Sequence, residues 1–282
     1  MQPGDTCMYM KKITFLLFTG VLLLIPSYSL LAEGHEVISK ASKSRIYLGA
    51  DLVSRYIWRG IQFGGNSPGI QPFFTYRNGG FEAGVWGSFS LSGFNLSQEV
   101  DLHVSQSFAK NMFTVTVTDY FFPEEFGNYN YFKYGKNVTG HVFEGALAFN
   151  GTKKFPLTVL VATNFFGADA ARIENDPKSP DFNKKTGIQY STYIELGYPF
   201  QVKNADINTF IGFDATKPRK ANVYTGYKGE SSYYGTGFGV INVGFTASES
   251  IQVTKKYALP LMVSLVTNPQ SGKIYFVLGI SF

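Results

Sequence analysis

Apolar and polar residues alternate along much of this chain, most regularly in its last ten residues, KIYFVLGISF. In a strand, alternate side chains point to opposite faces, so every second residue of this stretch lies on one face. That face is wholly apolar and consists of Ile274, Phe276, Leu278, Ile280 and Phe282. The pattern is typical of a barrel strand that faces lipid and ends on an aromatic residue. The closing strand of a water-soluble β-sandwich is the alternative.

The same alternation returns in segment after segment from Arg45 onward and gives about twelve strands near the usual length of a spanning strand. Short connections such as NGG broadly alternate with long polar ones such as PEEFGNYNYFKYGKNV. All the long connections fall on one side of the expected wall, as in outer-membrane barrels. We therefore expect an all-β fold, a transmembrane antiparallel up-and-down β-barrel of about 12 strands closed first to last.

The first strand is expected to continue as far as Trp58, with Tyr56 and Trp58 on its outward row. Trp58, Phe121 and Phe165 would then belong to an aromatic girdle on the side of the long loops. An eighth strand is expected from Ile188 to Tyr198.

Hydropathy and the start of the chain fit this fold. The mean hydropathy is only −0.03 although aromatic residues make up 17% of the chain, which argues against a helical membrane protein. Lys11 and Lys12 precede a short apolar run and then small residues, the pattern of a secretory signal peptide. The sequence thus predicts a signal peptide over 1–29, a periplasmic lead segment over 30–44 and a barrel over 45–282.

Composition narrows the chemistry. The single Cys7 lies in the predicted signal peptide, so we expect neither a disulfide nor a thiolate nucleophile after processing. The net charge of +5 is small, and the one basic run that stands out is Lys217 to Lys220. Neither feature indicates a nucleic-acid-binding protein. The histidines His35, His103 and His141 are too scattered to predict a metal site. We expect no cofactor.

Charged residues fall on the inward row of the predicted strands. Gly79-Gly80 predicts a tight hairpin that places Arg77 opposite Glu82. Such a row either creates a field that orients passing solutes or closes a narrow lumen with ion pairs, and both interpretations stay open. The residues predicted to line the pore are Asp51, Arg55, Arg59, Arg77, Glu82, Glu99, Asp101, His103, Glu144 and Glu195.

A set of short motifs lies between Ala50 and Asp101: S-x-Y-x-x-R-G, P-x-x-Q, G-x-W-G-S and E-x-D. Their positions are Ser54, Tyr56, Arg59, Gly60, Pro68, Gln71, Gly84, Trp86, Gly87, Ser88, Glu99 and Asp101. In this order they resemble the TorF-like outer-membrane porins of the Gcw_chp family. Gly69 departs from the alanine that is more usual in that family. The resemblance implies a channel in the bacterial outer membrane.

Three functions follow as hypotheses. The first is a porin-like channel for small polar or charged solutes, with outer-membrane lipid and the barrel-assembly machinery as partners. The second is a non-conducting barrel whose extracellular loops are adhesive or bind a partner. The third is an outer-membrane lipid hydrolase using His103 and Ser105, which we do not favour because both lie on the watery row. We therefore expect no enzyme activity and make no prediction of oligomeric state.

Overall fold

The computed structural model describes residues 44–92, 97–123, 130–136, 138–255 and 257–282. The predicted signal peptide and nearly all of the predicted lead segment lie outside these ranges. Within them, twelve antiparallel strands form one closed barrel, and each strand pairs with its neighbours along the chain. The barrel strands are β1 (Arg45–Val53), β4 (Gly69–Asn78), β5 (Phe81–Ser90), β6 (Gln98–Phe108), β7 (Phe113–Phe121), β8 (His141–Phe149), β9 (Thr158–Gly167), β12 (Thr192–Val202), β13 (Ala205–Asp214), β14 (Gly239–Thr254), β15 (Tyr257–Asn268) and β16 (Lys273–Ser281).

Among the described residues, two small hairpins are not paired with the barrel strands. One joins β2 (Tyr56–Trp58) to β3 (Ile61–Phe63), and the other joins β10 (Ala171–Ile173) to β11 (Lys185–Ile188). None of the described segments forms a helix long and apolar enough to cross a membrane.

The barrel closes where its first and last strands meet. Asp51 lies opposite Ser281, whose hydroxyl bonds the Asp51 carboxylate. The backbone N–H of Phe282 donates to the carbonyl oxygen of Ala50 over 3.0 Å. First-to-last closure is therefore confirmed, and these paired strands present no free edge to solvent.

The two faces of the wall differ as the alternation predicted. Outward residues are large, apolar and exposed: Leu48 is 79% exposed, and Phe276 and Leu278 are also exposed. Inward residues are polar and buried, for example Gln71, Thr116 and Asn164. Large apolar side chains thus surround the outside of the barrel, while hydrogen-bonding groups cover its inside.

Connections differ in length between the two ends of the barrel. On what we call the loop side, strands are joined by segments 54–68, 91–97, 122–140, 168–191, 215–238 and 269–272. On the turn side they are joined by 79–80, 109–112, 150–157, 203–204 and 255–256. The four longest segments, 54–68, 122–140, 168–191 and 215–238, all lie on the loop side, as predicted.

The first strand is shorter than expected. It ends at Val53, and Tyr56 and Trp58 belong to hairpin β2–β3, where both are 95% buried rather than outward. Trp58 is therefore not part of an outer girdle. The reason is the turn Arg59-Gly60: both residues have positive φ, 50° and 76°, which reverses the chain directly after Trp58. Alternation alone cannot show such a reversal.

The predicted eighth strand also begins later than expected. Lys185–Ile188 pairs with Ala171–Ile173 in the small loop-side sheet, and the barrel strand starts at Thr192. Tyr190, with φ of 55°, separates the two elements. The inward position of Glu195 is unchanged because the residue parity is preserved.

Candidate functional site

Hairpin β2–β3 packs with the inner wall of the barrel through aromatic rings. The ring centroid of Tyr56 lies 5.4 Å from that of Trp86 on β5, and Trp58 lies 5.6 Å from Tyr120 on β7. From the loop side, Tyr234 of segment 215–238 approaches Trp58 to 5.7 Å. These rings form one buried cluster, so the hairpin occupies the loop-side half of the lumen.

Arg59 at the tip of this hairpin forms an ion pair with Glu144 on β8. Nη1 donates to Oε2 and Nη2 donates to Oε1, the latter over 2.9 Å, and the side chains are 0% and 2% exposed. Tyr120 and Tyr234 also donate their hydroxyls to Glu144, each over 3.1 Å. Glu144 thus accepts four hydrogen bonds, which meets the demand of a buried carboxylate.

Aromatic faces surround the same guanidinium. Its Cζ lies 4.5 Å from the ring centroid of Trp58 and 4.6 Å from that of Tyr193 on β12. The Arg59 Nη1 atom also donates to the Tyr234 hydroxyl over 2.7 Å. We call Tyr120, Glu144, Tyr193 and Tyr234 the guanidinium box, since these four residues come from the wall and a loop and hold the Arg59 side chain.

Glu195 extends this network. The Tyr193 hydroxyl donates to Glu195, and Asn242 Nδ2 lies 3.0 Å from the Glu195 carboxylate and 2.8 Å from the Tyr193 oxygen. The position of the Tyr193 ring beneath Arg59 is thereby fixed by two wall strands.

A second group of predicted residues carries unpaired oxygen atoms. Asp51 lies opposite Gln71, and Ser88, which bonds Gln71, lies opposite Glu99. Within the described residues, four buried acceptor oxygens of this region make no hydrogen bond: Asp51 Oδ2, Gln71 Oε1, Glu99 Oε2 and Asp101 Oδ1. In the same part of the chain, the buried nitrogens without a partner are Arg55 Nε, Trp58 Nε1, Arg59 Nε and Trp86 Nε1. Over all the described residues, seven buried side-chain oxygens and four nitrogens make no hydrogen bond, and this excess of acceptors favours a positively charged solute over an anion.

The remaining predicted residues form a third group toward the turn side. Arg77 lies opposite Glu82 as predicted and forms an ion pair with it. His103 Nε2 lies 3.2 Å from the other Glu82 oxygen. Arg55 joins none of these groups and lies in the connection between β1 and β2. That all ten residues line a pore stays a prediction.

The sequence reasoning missed a polar cluster on the outward face of the wall. His141 Nδ1 lies 2.7 Å from Asp119 Oδ1, and its Nε2 lies 2.6 Å from the carbonyl oxygen of Tyr131. Tyr134 stacks on the imidazole at 4.5 Å. Segment 130–136 therefore folds back over the outside of β7 and β8, a tertiary contact that strand alternation does not reveal.

The two longest loop-side connections are joined by Glu230. Its carboxylate accepts the backbone N–H groups of Ile173 and Arg219, each over 2.9 Å. Burial alone would raise the pKa of Glu230, but these backbone donors outweigh it and lower the pKa below the ordinary value. Segments 168–191 and 215–238 thus form one cap, and this cap holds Tyr234 over the hairpin.

This geometry defines a closed twelve-strand barrel with an apolar outside, a polar inside and a hairpin within the lumen. The chain belongs to the Gcw_chp family, described as bacterial protein of unknown function, whose model matches residues 39–259. That range contains every motif position noted in the sequence, and the S-x-Y-x-x-R-G motif forms the connection after β1, strand β2 and the turn of the inserted hairpin. No curated protein matches the chain.

Proposed function

We propose that this protein is a porin-like channel of the bacterial outer membrane for small polar or charged solutes, with a lumen closed by hairpin β2–β3. Membrane insertion is supported by the exposed apolar residues on the outward row, which would be costly in water over so large a surface. Lipid surrounds this row, and the barrel-assembly machinery inserts the chain.

The observation that carries the channel proposal is a hairpin that blocks an otherwise polar lumen. The inner wall is polar and carries buried carboxyl groups with unpaired oxygens, a costly arrangement for a barrel with only a structural role. Hairpin β2–β3 fills the loop-side half of the lumen and is fixed to the wall through Arg59 and Glu144. A hairpin held in this way can leave the lumen without unpairing any barrel strand.

The proposal includes no catalytic step. His103 interacts with Glu82 in the turn-side group, where the pair lies beside Arg77. These residues form part of the lumen lining in our account.

Membrane location and conduction are tested separately. Outer-membrane fractionation and a heat-dependent shift in gel mobility are expected for an inserted barrel, and a detergent-free soluble protein would overturn that part. In planar bilayers we expect discrete conductance steps, with more open time and stronger cation preference in Arg59→Glu, because two carboxylates would then face each other. Silent membranes for both proteins would overturn the channel.

A non-conducting barrel with binding loops is the second candidate. It is favoured by large apolar side chains at the loop side: Tyr224 is 97% exposed, and Val223 and Phe132 are also exposed. Under this alternative the hairpin is a permanent plug. Silent bilayers together with loss of cell-surface adhesion in Tyr224→Ser would support it over the channel.

A further inference from the structure

We propose that the solutes which open this channel carry a guanidinium group, and that Arg59 is a tethered substitute for them. This inference rests on the proposed channel and names its substrate class. Arg59 would keep the guanidinium box filled until a free guanidinium compound takes its place.

The box matches a guanidinium in shape as well as charge. Two parallel bonds join the planar group to Glu144, a geometry that an ammonium ion cannot reproduce. Tyr193 provides an aromatic face 4.6 Å from Cζ, and planar guanidinium stacks well on such a face. A primary amine of equal charge would make the ion pair and lose the second bond.

The box does not depend on the hairpin for its parts. Tyr120, Glu144 and Tyr193 lie on the barrel strands β7, β8 and β12. Tyr234 belongs to the cap, which is held together through Glu230. The receptor for a guanidinium is therefore still assembled when Arg59 leaves it.

Other groups in the lumen fit the same class of solute. The unpaired oxygens of Asp51, Gln71, Glu99 and Asp101 are all acceptors, and guanidinium has five N–H donors and no acceptor. A cation released from the box would meet these oxygens along the inner wall. An anionic solute would meet the same oxygen atoms there and few free N–H groups.

Chemical rescue tests the box directly. Arg59→Ala should lower the temperature at which the barrel loses its heat-dependent gel shift, because Glu144 then lacks its partner. Ethylguanidinium should restore that temperature at concentrations about tenfold lower than ethylammonium. Arg172→Ala removes an exposed arginine of β10 and is the matched control, for which neither cation should change the temperature. Arg59→Ala combined with Glu144→Gln should abolish the rescue. Equal effects of the two cations, or no effect, would overturn the inference.

Solute uptake tests the same inference in the unaltered protein, should Arg59→Ala fail to fold. In liposomes containing the wild-type barrel we expect arginine to enter about tenfold faster than lysine, and citrulline, its neutral analogue, to be excluded. Uptake of all three at one rate would overturn the guanidinium preference and leave the channel standing. No uptake of any solute would overturn the channel, and with it the opening role of guanidinium.

Discussion

Arg59 and Glu144, 85 positions apart in the chain, form a two-bonded ion pair that solvent does not reach. One partner lies at the tip of a hairpin inside the barrel and the other on the wall that surrounds it. The pair lies within a buried cluster of aromatic and aliphatic side chains. Removing the pair should therefore change both the free energy of unfolding and the conductance of the channel.

The first prediction concerns the energy of this pair. Arg59→Ala should lower the free energy of unfolding by roughly 3–5 kcal/mol, because it leaves Glu144 buried without a counter-charge. Arg77→Ala is the comparison: its side chain is 41% exposed, so water screens its pair with Glu82 and the loss should be about 1 kcal/mol or less. Urea unfolding in detergent micelles measures both. Equal losses for the two variants would show that Arg59 is not held as described.

The second prediction concerns barrel closure. Phe282 is 66% exposed on the outward row, and its backbone bonds Ala50 where the last strand meets the first. Phe282→Asp should reduce the amount of barrel in the outer membrane, since a carboxylate would face lipid beside the seam. Tyr224→Asp, in loop-side segment 215–238 and 97% exposed, should leave the yield unchanged. A normal yield for Phe282→Asp would count against a lipid-facing outer row.

A third prediction follows from Glu230. Since its pKa is lowered in the folded cap, its contribution is fully present above the ordinary carboxyl pKa and is lost as pH falls through the lowered value. Hydrogen exchange in segment 216–235, corrected for intrinsic rates, should be slow at pH 7 and accelerate toward pH 3.

The matched variants for that experiment are Glu230→Ala and Glu174→Ala. Glu174 accepts bonds from its own neighbours Asn175 and Asp176, so its loss should leave segment 216–235 protected. Glu230→Ala should exchange fast at both pH values. Protection that is independent of pH in the wild type would show that Glu230 does not hold the two segments of the cap together.

Most of the wall could be predicted from the sequence because each strand repeats a period of two that burial enforces locally. Arg77 opposite Glu82 followed from the glycine pair alone, and the structure confirms it. The hairpin could not be found in this way. Tyr56 and Trp58 continue the alternation of β1. The reversal depends on the left-handed backbone at Arg59-Gly60, and this pair lacks the asparagine or aspartate that usually marks such a turn in a sequence.

The partners of the central site were equally hidden. Arg59 and Glu144 were each placed on the inward row, but their contact requires the hairpin to cross the lumen. Tyr193 and Tyr234 come from a wall strand and a loop whose relation only the closed barrel defines. The Asp119 and His141 contact depends on a loop folding back over the outer face, and a period of two carries no information about such a fold.

The central claim is that hairpin β2–β3 closes the lumen, and single-channel recording of Gly60→Ala tests it most directly. Gly60 has a φ of 76°, and a methyl group there would collide with the carbonyl oxygen of Ile241. The hairpin therefore cannot keep its position in the lumen. Gly226→Ala is the matched control, with a φ of 73° and no atom within 4 Å of the added carbon. We expect larger or longer openings in Gly60→Ala than in the wild type and in Gly226→Ala. Identical conductance in all three proteins would contradict the account.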